Sequence, residues 1–121
     1  MSDSKELGKQ GEDAASSFLA KNGYKIVARN WKMRANEIDI IAENENFMIF
    51  IEVKTRSGNY LEHPCTAVAA SKQKTIIKTA DSYIRRHNID KDSRFDIITV
   101  IKNNEKLEIT HIENAFYPTL R

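Results

Sequence analysis

The stretch that most constrains this chain is Glu37–Arg56, EIDIIAENENFMIFIEVKTR. Two short apolar runs, Ile38–Ala42 and Phe47–Val53, flank the polar segment Glu43–Asn46. Ile, Val and Phe dominate both runs, the side chains that suit a pleated, half-buried surface. The short connection predicts an antiparallel hairpin. Within it sit charges that a purely structural strand has little use for: Asp39, Glu52 and Lys54.

Strand alternation places those charges. Side chains two apart share a face, so Met48, Phe50, Glu52 and Lys54 point one way and Ile49, Ile51 and Val53 the other. Glu37, Asp39 and Ile41 share a face on the first strand. With the turn centred on Glu45–Asn46, Asp39 lies opposite Glu52, and directly paired Cβ atoms stand roughly 4.5–5.5 Å apart. A slip of one residue would send one carboxylate to the other face. Crowded carboxylates repel unless a cation or a proton intervenes. A divalent metal beside Lys54 meets that need; a solvated charged face or an ion pair is the alternative. Met48, Phe50 and Ile41 share the face with the charges, which argues that it is covered.

The remaining elements follow from periodicity. Met1–Ser4 is expected to be frayed, and a helix to run from about Lys5 to Lys21. Its apolar side is Leu7, Gly11, Ala14, Ala15, Phe18 and Leu19. Small residues at Gly8 and Gly11 allow a close approach, to the sheet or to a ligand. Glu12 borders this stripe and can be carried towards Asp39 and Glu52, or can be a surface acid favoured by the helix dipole. Tyr24–Asn30 reads as a strand and Met33–Asn36 as a loop. Arg29, Lys32 and Arg34 surround Trp31, an interleaving that suits phosphate contacts and base stacking, although a Trp is more often structural.

Ala67–His87 is a long helix, capped by Thr66 or Ser71. Lys72, Gln73 and Lys74 lie in its early turns, where they reach a phosphate or a water if that end faces the hairpin. Arg94–Ile101 and Leu107–Ile112 pair as a second hairpin, with Val100 and Ile109 mid-strand and Asp96 as an interruption. Glu113–Arg121 is expected to be a tail. His63 and Cys65 lack partners at zinc-site spacing. The order is helix, three strands, helix, two strands. This makes an α/β fold with one mixed central sheet, a helix on each face, and the second helix crossing between parallel strands.

The whole composition narrows function little. Hydrophobic residues at 40% and charged residues at 30% suit one globular domain over residues 1–121. A net charge of +2, from 19 basic and 17 acidic residues, makes any nucleic-acid surface local rather than global. A lone cysteine, no leader-like N-terminus and no long apolar run lead to the expectation of a cytoplasmic protein without a membrane span.

Gly11-Glu12 with Ala14-Ala15, Asn36–Ala42, Phe50–Arg56 and Arg94–Ile97 together resemble the YraN family of small bacterial proteins. That family is grouped by similarity with the PD-(D/E)xK nuclease-like superfamily and the archaeal Holliday-junction resolvases. The resemblance implies a restriction-endonuclease-like core. It maps Asp39 onto the motif aspartate, and Glu52 and Lys54 onto the acid and lysine of ExK. It also maps Glu12 onto the first-helix glutamate of resolvase-like members and, more loosely, Gln73 onto a polar position of the following helix. The family commonly has glycine before Glu-Ile-Asp; this chain has Asn36, which also tolerates a left-handed backbone.

Two functions are implied. In the first, Asp39, Glu52 and the Val53 carbonyl hold Mg²⁺ or Mn²⁺, and Lys54, Glu12 and Gln73 serve hydrolysis of DNA, including branched DNA. In the second, Arg29, Trp31, Lys32, Arg34, Arg56, Lys72 and Lys74 make a non-catalytic DNA-binding rim. A protein-interaction domain is a third, plainer option. A junction resolvase would work as a symmetric homodimer, although no stretch marks a dimer surface.

Overall fold

The computed structural model describes residues 2–58 and 68–118. Its elements are α1 (Ser2–Lys21), β1 (Lys25–Met33), β2 (Asn36–Glu43), β3 (Phe47–Ser57), α2 (Ala70–Arg86), β4 (Asp92–Asn103) and β5 (Lys106–Phe116). The five strands form one sheet in the order β1-β2-β3-β4-β5. β3 and β4 run parallel, and all other neighbours are antiparallel. A parallel neighbour cannot be reached by a tight turn, so the chain leaves β3, forms α2 across one face, and returns as β4.

Alternation along the strands divides the core into two layers. Ile41, Met48, Phe50, Phe95 and Ile97 pack with Ile76, Ala80 and Tyr83 of α2. Ile40, Ile49, Ile51, Ile98 and Val100 pack with Ala15 and Leu19 of α1. Each fully buried Ile or Phe contributes about 1.5–3 kcal/mol over an exposed one. The two layers, and not the exposed ion pairs, therefore clamp the sheet between its helices. This is the α/β restriction-endonuclease-like arrangement that the sequence predicts, with Val100 directly opposite Ile109.

Several boundaries differ from expectation. The first helix begins at Ser2. The expected Met33–Asn36 loop is a two-residue turn: Met33 pairs with Asn36 and Arg34 has φ of 58°. β5 runs four residues past Ile112, so the start of the expected tail is strand, and Phe116 is buried beside Phe95. α2 starts at Ala70 after an Ala69 N-cap with no side-chain cap bond, and Ser71 lies inside the helix. Thr66, His63 and Cys65 lie outside the described residues.

Candidate active site at a fork in the sheet

The site lies where the central ladder stops. β2 and β3 pair from Glu43↔Met48 to Ile40↔Ile51. Beyond that point β2 stays with β1 as far as Met33↔Asn36, while β3 stays with β4 as far as Ser57↔Lys102. The next residues in register are Asp39 and Glu52, so the carboxylates stand at the opening between the two strands. Asp39 Oδ2 accepts the Val53 backbone N–H at 2.8 Å, taking the place of a ladder carbonyl. The N–H and C=O of one strand residue point to the same side, so the Val53 carbonyl is turned towards this opening too.

Glu52 is buried on the α2 face, with 5% of its surface exposed. Two ammonium groups attend it: Lys54 Nζ stands 3.5 Å and Lys72 Nζ 3.7 Å from its Oε2. Lys72 reaches it because the N-terminal turn of α2 faces the fork, where Asp39, Ser71, Lys72 and Thr75 line a cleft of about 540 Å³. Among the described residues Asp39 has no such counter-charge. Burial pushes its carboxyl up to about 7, helped by the carboxylates of Glu52, Glu12 and Glu37 and opposed by the Val53 hydrogen bond. Repulsion among carboxylates at the end of an apolar face is thus present in the fold, with lysines compensating only Glu52.

Glu12 comes from the other side. α1 lies so close to β3 at Gly11 that a Cβ there would run into the Thr55 side chain. Only glycine permits this approach, and it brings the next residue to the fork. Asn30, at φ of 52°, is the β1 residue that faces Asp39 in a break in the β1–β2 ladder. Its amide donates to Glu12 Oε2 at 3.3 Å and to Glu37 Oε2 at 2.6 Å. Asn30 and Glu37 were not among the residues singled out in the sequence. Glu37 carried a signal, being on the face of Asp39 two residues away. Asn30 carried a weaker one, as a residue that tolerates positive φ within a strand.

The fork's donors are oxygen atoms: two carboxylates and a strand carbonyl, with Glu12 and Glu37 near enough to raise the Asp39 pKa. Hard cations such as Mg²⁺ and Mn²⁺ prefer such a set, and Mg²⁺ commonly takes only one or two protein carboxylates. Among the described residues no three carboxylate, imidazole or thiol side chains converge as a ready-made cage.

Comparison with known proteins places the chain in a family. Residues 11–100 match the sequence profile of an uncharacterised protein family, UPF0102. A UPF0102 protein of Bacteroides thetaiotaomicron is 46% identical over 120 residues, covering 99% of both chains. One from Parabacteroides distasonis is 44% identical over 116 residues, with 96% of each covered. One from Phocaeicola vulgatus is 42% identical over 120 residues, with 99% of each covered. The chain belongs to the UPF0102 family. This is the YraN family that the motifs resemble, and Glu12, Asp39, Glu52 and Lys54 all fall within the stretch matched to UPF0102.

The other residues singled out in the sequence scatter. Gln73 turns from the carboxylates: its amide donates to the Val68 carbonyl at 3.0 Å, and with Lys74 it lines a separate cavity near Tyr117. Arg29 is held by Asp13 at 2.9 Å and Glu12 at 3.7 Å on the α1 side. Trp31 is half-buried and packs against the α2-side core, in a T-shaped contact with Tyr83 at 5.2 Å between ring centroids. Lys32 and Arg34 are exposed. Arg56 is half-buried and donates to the Thr55 carbonyl. No helix is long and apolar enough to cross a membrane among the described residues.

A second polar cluster lies on the α1 face, one strand away. Asp96 is fully buried and accepts bonds from Arg94 at 2.8 and 3.0 Å, from His111 Nε2 at 2.7 Å and from the Asn114 N–H at 2.9 Å. Burial opposes its charge, but the bonds from His111, Arg94 and Asn114 outweigh burial and lower its pKa. The Asn114 bond holds a bulge where β5 slips register between Phe95 and Ile97. Asp96 and His111 thus have a structural task.

Proposed function

We propose that this protein is a metal-dependent phosphodiesterase that acts on DNA. The observation that carries the reading is the fork itself, where Asp39 and Glu52 stand in register with Lys54 Nζ 3.5 Å from Glu52. Asp39, Glu52 and the Val53 carbonyl would hold Mg²⁺ or Mn²⁺, with Glu12 ordering water beside them. Bound there, the ion would polarise the scissile phosphate and make the attacking water more acidic. Lys54 holds its charge next to the phosphate and stabilises the negative charge that grows on its oxygens in the transition state. Asn30 fixes Glu12 and Glu37 so that the acids do not drift apart. Gln73 is left out of the chemistry.

The reading is tested by incubating branched, flapped and linear DNA with Mg²⁺ or Mn²⁺, comparing the native chain with Glu52→Gln. The native chain is expected to cut at least one of these substrates and the variant none. Cutting that persists unchanged in Glu52→Gln would remove the fork from the reaction. Native protein that binds DNA but cuts nothing would favour the binding-module alternative.

A further inference from the structure

The fork opens on both sides of the sheet, and the two sides differ in charge. On the α1 side, a cleft of about 810 Å³ holds Lys5, Lys9 and Arg29 but also Glu6, Glu12, Asp13 and Glu37. Its cations are partly spent on those acids: Asp13 takes Arg29 at 2.9 Å and Lys9 at 3.7 Å, and Arg29 also reaches Glu12. A phosphate entering there would displace existing pairs and meet four carboxylates.

The α2 side is different. The cleft at Asp39 and Lys72, which Glu37 lines from this side too, continues through Asn36 into a second one of about 350 Å³ lined by Met33, Arg34, Lys78 and Arg86. Among the described residues no carboxylate lines this second cleft. Among the described residues neither Arg34 nor Lys78 is engaged in an ion pair. Arg86 is laid over the hairpin tip by a 3.9 Å contact to Met33 Sδ. Its walls are otherwise hydroxyl-bearing: Thr79 and Ser82 follow Ser71 and Thr75 along one side of α2. A helix rises about 1.5 Å per residue, so the groove from Ser71 to Arg86 is on the order of 22 Å long. A groove of that length accommodates several successive phosphates of one strand.

We infer that the groove between α2 and the β1–β2 turn, carrying Arg34, Lys78 and Arg86, is the track along which a DNA strand is led to the fork. Lys72 is the last cation of the track, and Asp39 and Glu52 stand at its end. The inference deepens the phosphodiesterase reading and rests on it for the purpose of the track. It differs from a basic rim around the whole domain, because it assigns phosphate contacts to Lys78 and Arg86 and withdraws them from Arg29. Phosphate contacts of this kind give affinity that falls with salt and carries little sequence preference.

The test is fluorescence anisotropy with a fluorescein-labelled DNA duplex bearing a single-stranded flap, titrated at several salt concentrations without divalent metal. The track variant is R34N/K78E/R86E; Asn is chosen at 34 because it tolerates the positive φ there. The control is K21E/K106E, two exposed lysines at the α1 C-terminus and the β4–β5 turn. The track variant is expected to bind at least about tenfold more weakly, with a salt slope shallower by about 2–3, as for three lost phosphate contacts. The control should fall much less. Thermal melts of both show whether the fold is intact, and a single R86E variant repeats the test if the triple one melts early.

Wild-type affinity and slope in a folded track variant would overturn the inference, as would an equal loss in the control. Failure of the native chain to bind the probe would overturn it too. If the track variant loses binding while the native chain cuts no DNA with Mg²⁺ or Mn²⁺, the track stands and the catalytic reading falls. If the native chain cuts and the track variant binds normally, the reverse holds.

Discussion

Glu52 has two lysines within reach, and they do not have the same task. Lys54 projects from the same strand two residues on, while Lys72 arrives from α2 and is about half exposed. A protonated lysine cannot ligate a metal, so Lys54→Ala is expected to fold and to keep Mn²⁺ binding measured by calorimetry. Single-turnover cleavage should fall by about 10²-fold or more, the order seen when an electrostatic contact to a transition state is lost. Equal rates for the variant and the native chain would exclude Lys54 from the reaction. Asn30 gives a second test at this scale, because its two tasks can be separated. Asn30→Gly keeps the left-handed backbone and loses the bonds to Glu12 and Glu37, whereas Asn30→Ala loses both. Both variants should cut poorly, but only Asn30→Ala should be clearly less stable in urea, by about 1 kcal/mol relative to Asn30→Gly. Equal urea midpoints would mean that the φ of 52° is not imposed by the strand. The charged motif residues were legible from alternation alone, since Asp39 and Glu52 are in the register that a turn at Glu45–Asn46 requires. Asn30 was not, because its importance comes from a backbone kink in a strand whose side-chain pattern looks ordinary.

α1 is docked through one glycine. Thr55 occupies the space that a side chain at Gly11 would need, with its Oγ1 and methyl the nearest atoms and its own Cβ close behind. Gly11→Ala should improve helix propensity by up to about 1 kcal/mol, yet overpacking typically costs about 1–3 kcal/mol. A net loss of stability is expected, with a larger relative loss of cleavage because Glu12 moves with the helix. Thr55→Ala should recover part of that stability, and a double-mutant cycle by urea denaturation reads the coupling directly. Additive effects would show that helix and strand do not meet as described. At the level of elements the sequence was a good guide where a period runs unbroken: both hairpins, the crossover to a parallel strand and the two apolar helix stripes. It was a poor guide where tertiary contacts set the limits. β5 continues to Phe116 because the Asn114 bulge restores its register, with Asp96 capping the bulge from the neighbouring strand. Gln73 looked inward from its place three before Ile76, but its amide is used by the Val68 carbonyl at the helix entrance. Neither bond has a sequence signature, since each depends on a group brought close only by the fold.

Across the molecule two aspartates, Asp96 buried and Asp39 half-buried, pull stability in opposite directions with pH. Asp96 is satisfied by Arg94, His111 and a backbone N–H, so its pKa is lowered in the folded state. Its contribution is present above the ordinary carboxylate pKa and is lost as pH falls through the lowered folded value. Asp39 is the reverse. Its folded pKa of about 7 lies above the ordinary 3.8, because burial and three neighbouring carboxylates disfavour its charge. Below about pH 4 both folded and unfolded chains hold that proton, and Asp39 has no effect on stability. As pH rises from about 4 to 7 the unfolded chain gives up the proton first, so the metal-free protein loses stability across this window and then levels off. Asp39→Asn keeps an acceptor for the Val53 N–H and cannot ionise. It is expected to match the native chain near pH 4 and to exceed it at pH 8 by on the order of 2–4 kcal/mol, while cutting no DNA. Asp96→Asn should instead destabilise at pH 8 by about 3–5 kcal/mol, because buried Arg94 loses its close partner and keeps only the exposed Glu113, 3.7 Å away. Urea unfolding of the three proteins at pH 4, 6 and 8, without divalent metal, measures both effects. Mn²⁺ adds a sign that electrostatic crowding alone cannot imitate: bound at the fork, it lowers the Asp39 pKa and reverses the native slope, so that stability rises with pH towards 8. Asp39→Asn should show little of that rise. A native chain whose stability is flat from pH 4 to 8, with and without Mn²⁺, would mean that Asp39 is neither crowded nor a ligand.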